Sequence, residues 1–391
     1  MDALWTGGLL LAGAGLGYLA GRWRGVEAPA PEERSDSGSP AYFRGLYHLL
    51  NEQPDQAIDA FLDVARVEPE TVDVHLALGN LFRRRGEVDR ALRIHQNLIA
   101  RPNLSRDQRD HAMYQLGLDY QKAGLLDRAR QVFAELVEGN KEYVPALEAL
   151  TEITEQEREW GEALRGRQQL ARIRGHGDPV AESLIYCELA SEALSRNDPG
   201  RAQHNIRRAF GVDGTCVRAS ILSGQLQSLK GNERKAVREW QRIVRQSPQH
   251  LVLVLDELVA AYHRLGAEKE LQRFLSATLE EVRHPALFAA LASHMAREMG
   301  AGEALGRVEE GIHRHPESAE LVSSFVGMWK DLAGAAAAEC DGVLQVIQPF
   351  LERTRARQSR FACTHCGFKS GYMQWKCPQC RRWGTLGLQA A

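Results

Sequence analysis

A single interval constrains this chain more than any other feature. Small residues recur at Ala57, Ala91, Ala129, Ala163, Ala202, Ala236 and Ala304, spaced by 34, 38, 34, 39, 34 and 68 residues, the last being twice 34. Gly45, Gly79 and Gly117 each stand 12 residues before one of the first three alanines. Four residues after the alanines come Phe61, His95, Phe133, Arg167, Ile206, Trp240 and Val308, mostly bulky and apolar. Such a period marks stacked supersecondary units, each of which buries its core only against its neighbours. The amphipathic patterns make each unit a pair of helices. The Gly and Ala positions are then where the two helices cross, because a larger side chain would force them apart. The bulky residue is expected to fill the seam to the next unit. Pro69, Pro102, Pro248 and Pro316 close units, since proline cannot supply the helix hydrogen bond. Gly86, Gly124, Gly231 and Gly266 fall in the turns between paired helices. Glu270, where a seventh alanine is due, marks a local departure.

The 34-residue unit resembles the tetratricopeptide repeat. The match is closest in the first three units and the sixth, and degenerate in the fourth, fifth, seventh and eighth. A ninth hairpin, roughly Ser318–Arg355, lacks the Gly and Ala marks and carries the run Ala335–Ala338. The resemblance implies an array spanning residues 41–355 that holds peptides or proteins in a groove and seldom catalyses. Arg83, Arg84, Arg85 and Arg90 read as solvated faces.

Ahead of the array, Ala3–Gly21 is nineteen residues without a charge. As a helix it is about 28 Å long, close to the hydrocarbon core of a bilayer. Trp5 lies near one end, Tyr18 and Trp23 near the other, as interfacial aromatics do. Arg22 and Arg24 follow, with only Asp2 charged before the span, so the positive-inside rule puts the C-terminal bulk in the cytoplasm. A cleaved signal peptide would want a basic start and a shorter apolar core. Residues 1–24 are therefore read as a transmembrane anchor, and the Pro-, Ser- and Glu-rich residues 25–40 as a flexible linker. Gly13, Gly17 and Gly21 give the small-residue spacing that lets a second membrane helix approach.

The C-terminal residues 356–391 carry two Cys-x-x-Cys knuckles, Cys363/Cys366 and Cys377/Cys380. Paired knuckles supply tetrahedral four-sulfur coordination, suited to one zinc or iron ion. With no open position, the site reads as structural, and metal binding supplies folding free energy to so small a module. Gly367 permits the positive φ that closes the first knuckle. His365 sits inside it and reads as exposed, because four sulfurs already fill the sphere. Cys187, Cys216 and Cys340 have no paired spacing and read as buried free thiols. From Leu351 to Ala391, eight Lys and Arg face Glu352 alone, a net +7 inside a chain whose overall charge is −2. That balance disfavours a protein that coats nucleic acid. Among Phe361, Phe368, Tyr372, Trp375 and Trp383 the expectation is a small ribbon core. The basic tail could dock on the repeats, on anionic lipid or on single-stranded nucleic acid, the last disfavoured.

No HExxH, GxSxG or phosphate loop occurs, so an enzyme is not expected. The expected fold class is all-α: a tetratricopeptide-repeat solenoid with an N-terminal transmembrane helix and a small rubredoxin-like, zinc-ribbon module. This order of parts is similar to the lipopolysaccharide assembly protein B family. Tyr42–Gly45, Asn51–Phe61, Cys363–Phe368 and Trp375–Cys380 carry the likeness most specifically. The resemblance implies a non-enzymatic adaptor at the cytoplasmic face of the inner membrane. It implies as partners the membrane protease FtsH and the LpxC deacetylase, whose turnover restrains lipopolysaccharide synthesis. Other inner-membrane lipopolysaccharide regulators or transport proteins are further partners of that kind. For the metal site it supports Cys363, Cys366, Cys377 and Cys380. A scaffold for envelope assembly that does not act through proteolysis, and a metal- or redox-responsive regulator, are the alternatives.

Overall fold

A computed structural model describes residues 40–67, 71–333, 347, 349–351, 353–354 and 360–388. The expected anchor, nearly all of the linker, Gly13, Gly17, Gly21, Cys340 and most of the second helix of the ninth hairpin lie outside them. Among the described residues no helix is long and apolar enough to cross a membrane.

The chain divides into two compact units between Asn140 and Lys141. In the first unit, α1 (Pro40–Leu50) pairs with α2 (Pro54–Val67), α3 (Val72–Arg85) with α4 (Val88–Ile99), and α5 (Arg106–Lys122) with α6 (Leu126–Gly139). In the second, α7 (Val144–Gln156) pairs with α8 (Trp160–Arg174), α9 (Pro179–Ser195) with α10 (Pro199–Val212), and α11 (Val217–Leu229) with α12 (Glu233–Gln246). A 3-10 turn (Pro248–Leu253) precedes the pairs α13 (Leu255–Leu265) with α14 (Glu268–Val282) and α15 (Pro285–Met299) with α16 (Ala301–Arg314), and then α17 (Ala319–Ala333). Three short strands follow: β1 (Phe361–Cys363), β2 (Lys369–Ser370) and β3 (Leu386–Leu388), in the antiparallel order β2-β1-β3.

Local chemistry sets the helix boundaries. Ser105 and Gln108 form a reciprocal capping box at the start of α5. Asp178 and Asp198 cap α9 and α10, each followed by proline at the first helical position, where no donor is missed.

All seven alanines of the register are 0% exposed, as the helix crossing requires. Of the bulky residues four places on, Phe61 and Trp240 sit in cores shared with neighbouring hairpins, and Phe61, Phe133 and Trp240, with His95, also turn back over the glycine of their own hairpin. A methyl built on Gly45 would come within 2.7 Å of the Phe61 ring, on Gly117 within 2.3 Å of Phe133, and on Gly224 within 2.2 Å of Trp240. Gly117→Ala should therefore cost about 1–3 kcal/mol through overpacking. Urea denaturation would show this as a lowered midpoint, and adding Phe133→Leu should restore part of it. An unchanged midpoint in Gly117→Ala would contradict the packing.

Glu270 is exposed and Leu271 fully buried in its place, so the register slips by one residue in this unit. The extra residue follows the 3-10 turn, which interrupts the simple helix–turn–helix order. Arg83 corrects the solvated reading given to it. Its guanidinium donates to Asp119, Gln115 and Asn80 at 2.7–2.8 Å, and the other Asp119 oxygen meets His95 Nδ1 at 2.5 Å. His95 and Asp119 are fully buried, Asp119 is shared between Arg83 and His95, and the His95 ring lies over Gly79 where an aromatic ring lies over the glycine elsewhere.

Candidate metal centre and its seat

The two knuckles fold alike. In the first, the Gly367 N–H donates to the Cys363 carbonyl at 2.9 Å, and in the second the Arg381 N–H donates to the Cys377 carbonyl at 2.8 Å. Both acceptor turns close with positive φ, +74° at Gly367 and +59° at Arg381. Arg381 thus holds a conformation that costs an ordinary residue roughly 1 kcal/mol.

These turns bring Cys363, Cys366, Cys377 and Cys380 together, with all four sulfurs within 4.8 Å of one another. Cys363 and Cys380 lie 3.7 Å apart, and Cys366 and Cys377 3.6 Å. Four sulfurs about 2.3 Å from one ion at tetrahedral angles would be roughly 3.8 Å apart, so the set fits a single ion. The spacing is far too long for a disulfide bond. The Thr385 hydroxyl sits 3.3 Å from the Cys363 sulfur. Burial pushes the Cys363 thiol up, but this hydroxyl and the backbone N–H groups of Cys366 and His365 outweigh it and bring it to about 6. Cys366, although it receives the Phe368 N–H, is pushed up to about 11 by desolvation and by the other three sulfurs. A set with one easily ionised thiol and one resistant thiol needs a cation before all four can be thiolates. His365 is exposed and outside the cluster.

The ribbon does not stand alone. It sits on hairpins four to six of its own unit, and its aromatic residues correct the expectation of a purely internal core. Phe361, Cys363, Cys377 and Leu386 form that core, with Phe368 beside it, while Tyr372 is exposed. Trp383 instead enters the repeat core among Trp160, Leu184 and Ile185, edge-on to Trp160 at 6.0 Å. Trp375 stacks on His250 at 6.2 Å and carries Arg218 over its face. Burial lowers the pKa of His250, leaving a neutral ring for that stack. Gly384, at φ +64°, passes so close to α9 that an added methyl would lie 2.8 Å from Val180.

Glu155 on α7 is the hub of this seat. It is 4% exposed, and its two oxygens divide the work. Oε1 accepts from Arg167 at 2.5 Å. Oε2 meets Lys376 Nζ at 2.6 Å and accepts from Trp383 Nε1 at 3.0 Å. One turn earlier, Glu152 pairs with Arg381, the residue held at positive φ. Desolvation pushes the Glu155 carboxyl up, but the hydrogen bonds and charges of Arg167 and Lys376 prevail and hold it below the usual carboxylate value. The sequence contains one trace of this hub. At Arg167 the otherwise mostly apolar column after the alanines carries a full charge, and such a charge needs a nearby partner.

Cys187 and Cys216 are buried and free, as expected, but their sulfurs lie 3.8 Å apart, which sequence spacing did not reveal. Cys187 is raised by its hydrogen bond with Cys216 and by burial. Cys216 is lowered to about 7, chiefly by that same bond, against desolvation and with help from the Ala219 N–H and Ser183.

The family described as rubredoxin metal binding domain matches residues 361–387, and the tetratricopeptide repeat family matches residues 44–103 and 111–139. Lipopolysaccharide assembly protein B of Escherichia coli (strain K12) is 32% identical over 378 residues, covering 97% of this chain and 96% of the relative. The protein of the same name from Haemophilus influenzae is 30% identical over 386 residues, with the same coverage of 97% and 96%. Near-complete coverage in both directions reaches from the N-terminal segment through the repeats to the ribbon. This chain belongs to the lipopolysaccharide assembly protein B family.

Proposed function

We propose that this chain is a non-enzymatic adaptor, anchored in the inner membrane by residues 1–24 with its bulk in the cytoplasm. In this reading it restrains lipopolysaccharide synthesis by promoting degradation of the LpxC deacetylase by the membrane protease FtsH. Family membership supports the link to lipopolysaccharide, through relatives named as assembly proteins. The observation that carries an adaptor role is the joining of ribbon and repeats. The ribbon edge at Arg360, Phe361 and Leu388 and the helices α13, α15 and α17 enclose a cleft of about 940 Å³, wide enough for a partner segment. Cys363, Cys366, Cys377 and Cys380 would hold one metal ion, which supplies a rigid cross-link and no reaction. Anchoring the chain in the membrane that holds the protease raises the effective concentration of the pair without new contacts.

Depletion of the protein should lengthen the half-life of the deacetylase and raise its steady-state level, measured by pulse-chase. An unchanged half-life would overturn this reading and favour an assembly scaffold that does not act through proteolysis.

A further inference from the structure

A second group of metal-binding side chains lies in hairpins seven and eight, separate from the four cysteines. His263 is in the last turn of α13, Glu268 opens α14, and His294 lies within α15. His263 Nδ1 hydrogen-bonds the Glu268 carboxylate at 2.9 Å, and His294 Nδ1 is 3.5 Å from Glu268 Oε2. One ligand atom from each residue falls within 4.8 Å of the others. Two donors about 2.0–2.2 Å from one ion stand roughly 3–3.5 Å apart, so little movement separates this arrangement from coordination.

The independent sign of a ligand is what one of these atoms lacks. His294 is 2% exposed, yet its Nδ1 has no hydrogen-bond partner; the Glu268 Oε2 it faces at 3.5 Å is 2.9 Å from His263 Nδ1. A buried imidazole nitrogen facing a carboxylate without a bond is costly, and native interiors seldom leave one so. A cation shared with the Glu268 carboxylate satisfies that nitrogen.

We propose that His263, Glu268 and His294 form a second metal site, taking a zinc-class divalent ion. Two imidazole nitrogens and one carboxylate oxygen match that class, and three protein ligands leave a coordination position over. His263 and His294 both line the cleft beside the ribbon, so the remaining position falls to water or to an oxygen from the cleft's occupant. The ion would tie α13 and α14 to α15, making the cleft wall rigid. Arg297 donates to His263 Nε2 at 3.2 Å, which keeps the His263 proton on Nδ1, toward Glu268. On coordination that proton moves to Nε2, Nδ1 binds the ion, and the exposed Arg297 swings away.

The test is a titration of untagged full-length protein, its four-cysteine centre already filled, with Co²⁺. One further Co²⁺ per chain is expected, showing weak ligand-field bands without thiolate charge-transfer bands. His263→Gln and Glu268→Gln should each weaken this second binding by more than the roughly 10–100-fold typical of losing an outer-shell partner. Both sit at helix ends and are less buried than His294, so the test does not depend on whether a His294 variant folds. No second ion, or a second ion whose affinity neither substitution changes, would overturn the proposal. Neither outcome bears on the deacetylase half-life.

Discussion

Stripping the metal from the four-cysteine centre with a chelator is expected to unfold residues 361–388 while leaving the helices in place. The ribbon has three strands of two or three residues and a core of four buried side chains, too little to fold unaided. Structural four-ligand zinc sites contribute on the order of 10–16 kcal/mol in small modules, far more than such a core. Lys376, Arg381 and Trp383 all border or belong to the second knuckle, so losing the ion should also empty the seat on hairpins four to six. Hydrogen exchange by mass spectrometry should show peptides from 361–388 losing protection together with those around Glu155 and Trp160. Helical circular dichroism should change little. Cys363→Ser should act in the same direction. Full protection in the metal-free chain would show that the module is held by its packing and not by its metal.

Glu155→Ala is the second substitution with a large expected effect, and it separates docking from folding. Removing one member of a buried charge network costs about 3–5 kcal/mol, because the partners left behind are uncompensated. Here those partners are Arg167, Lys376 and the Trp383 N–H. The ribbon should keep its metal content but leave the repeats, exposing Trp383. Glu155→Gln retains an acceptor for Trp383 and should fall between the two. The pH dependence follows from the lowered carboxyl. A depressed folded value means the contribution is complete above the unfolded value near 4.5 and is lost only as pH falls through the lower folded value. The seat should therefore hold throughout the neutral range and fail in acid. Unaltered Trp383 protection in Glu155→Ala would show that the apolar contacts suffice.

Much of this architecture was legible in the sequence because it rests on steric exclusion. Ala57 to Ala304 keep their spacing because nothing larger than methyl fits a helix crossing, and the four cysteines keep theirs because coordination demands it. That Phe61, Phe133 and Trp240 also lie over a glycine of their own hairpin was not legible, since an apolar side chain can face a seam and a glycine alike. The one-residue slip at Leu271 depends on the 3-10 turn, a matter of a single hydrogen-bond register. The seat was hidden for a different reason. Glu155 and Trp383 stand 228 residues apart, and their contact arises only when stacked hairpins bring α7 beneath the ribbon. The fourth unit's weak repeat signature now has a cause. Arg167 replaces its bulky residue because this unit carries the ribbon's counter-charge, while Thr151, in the glycine's place, packs against Gly166.

Under the proposed function, ribbon and repeats would work as one seated device in controlling the deacetylase. Pulse-chase of the deacetylase in cells whose only copy of this chain is Glu155→Ala, at normal level and metal content, tests it most directly. The expected result is a half-life lengthened toward that of depleted cells. A half-life equal to that of the unmodified chain, with Trp383 demonstrably released, would contradict it.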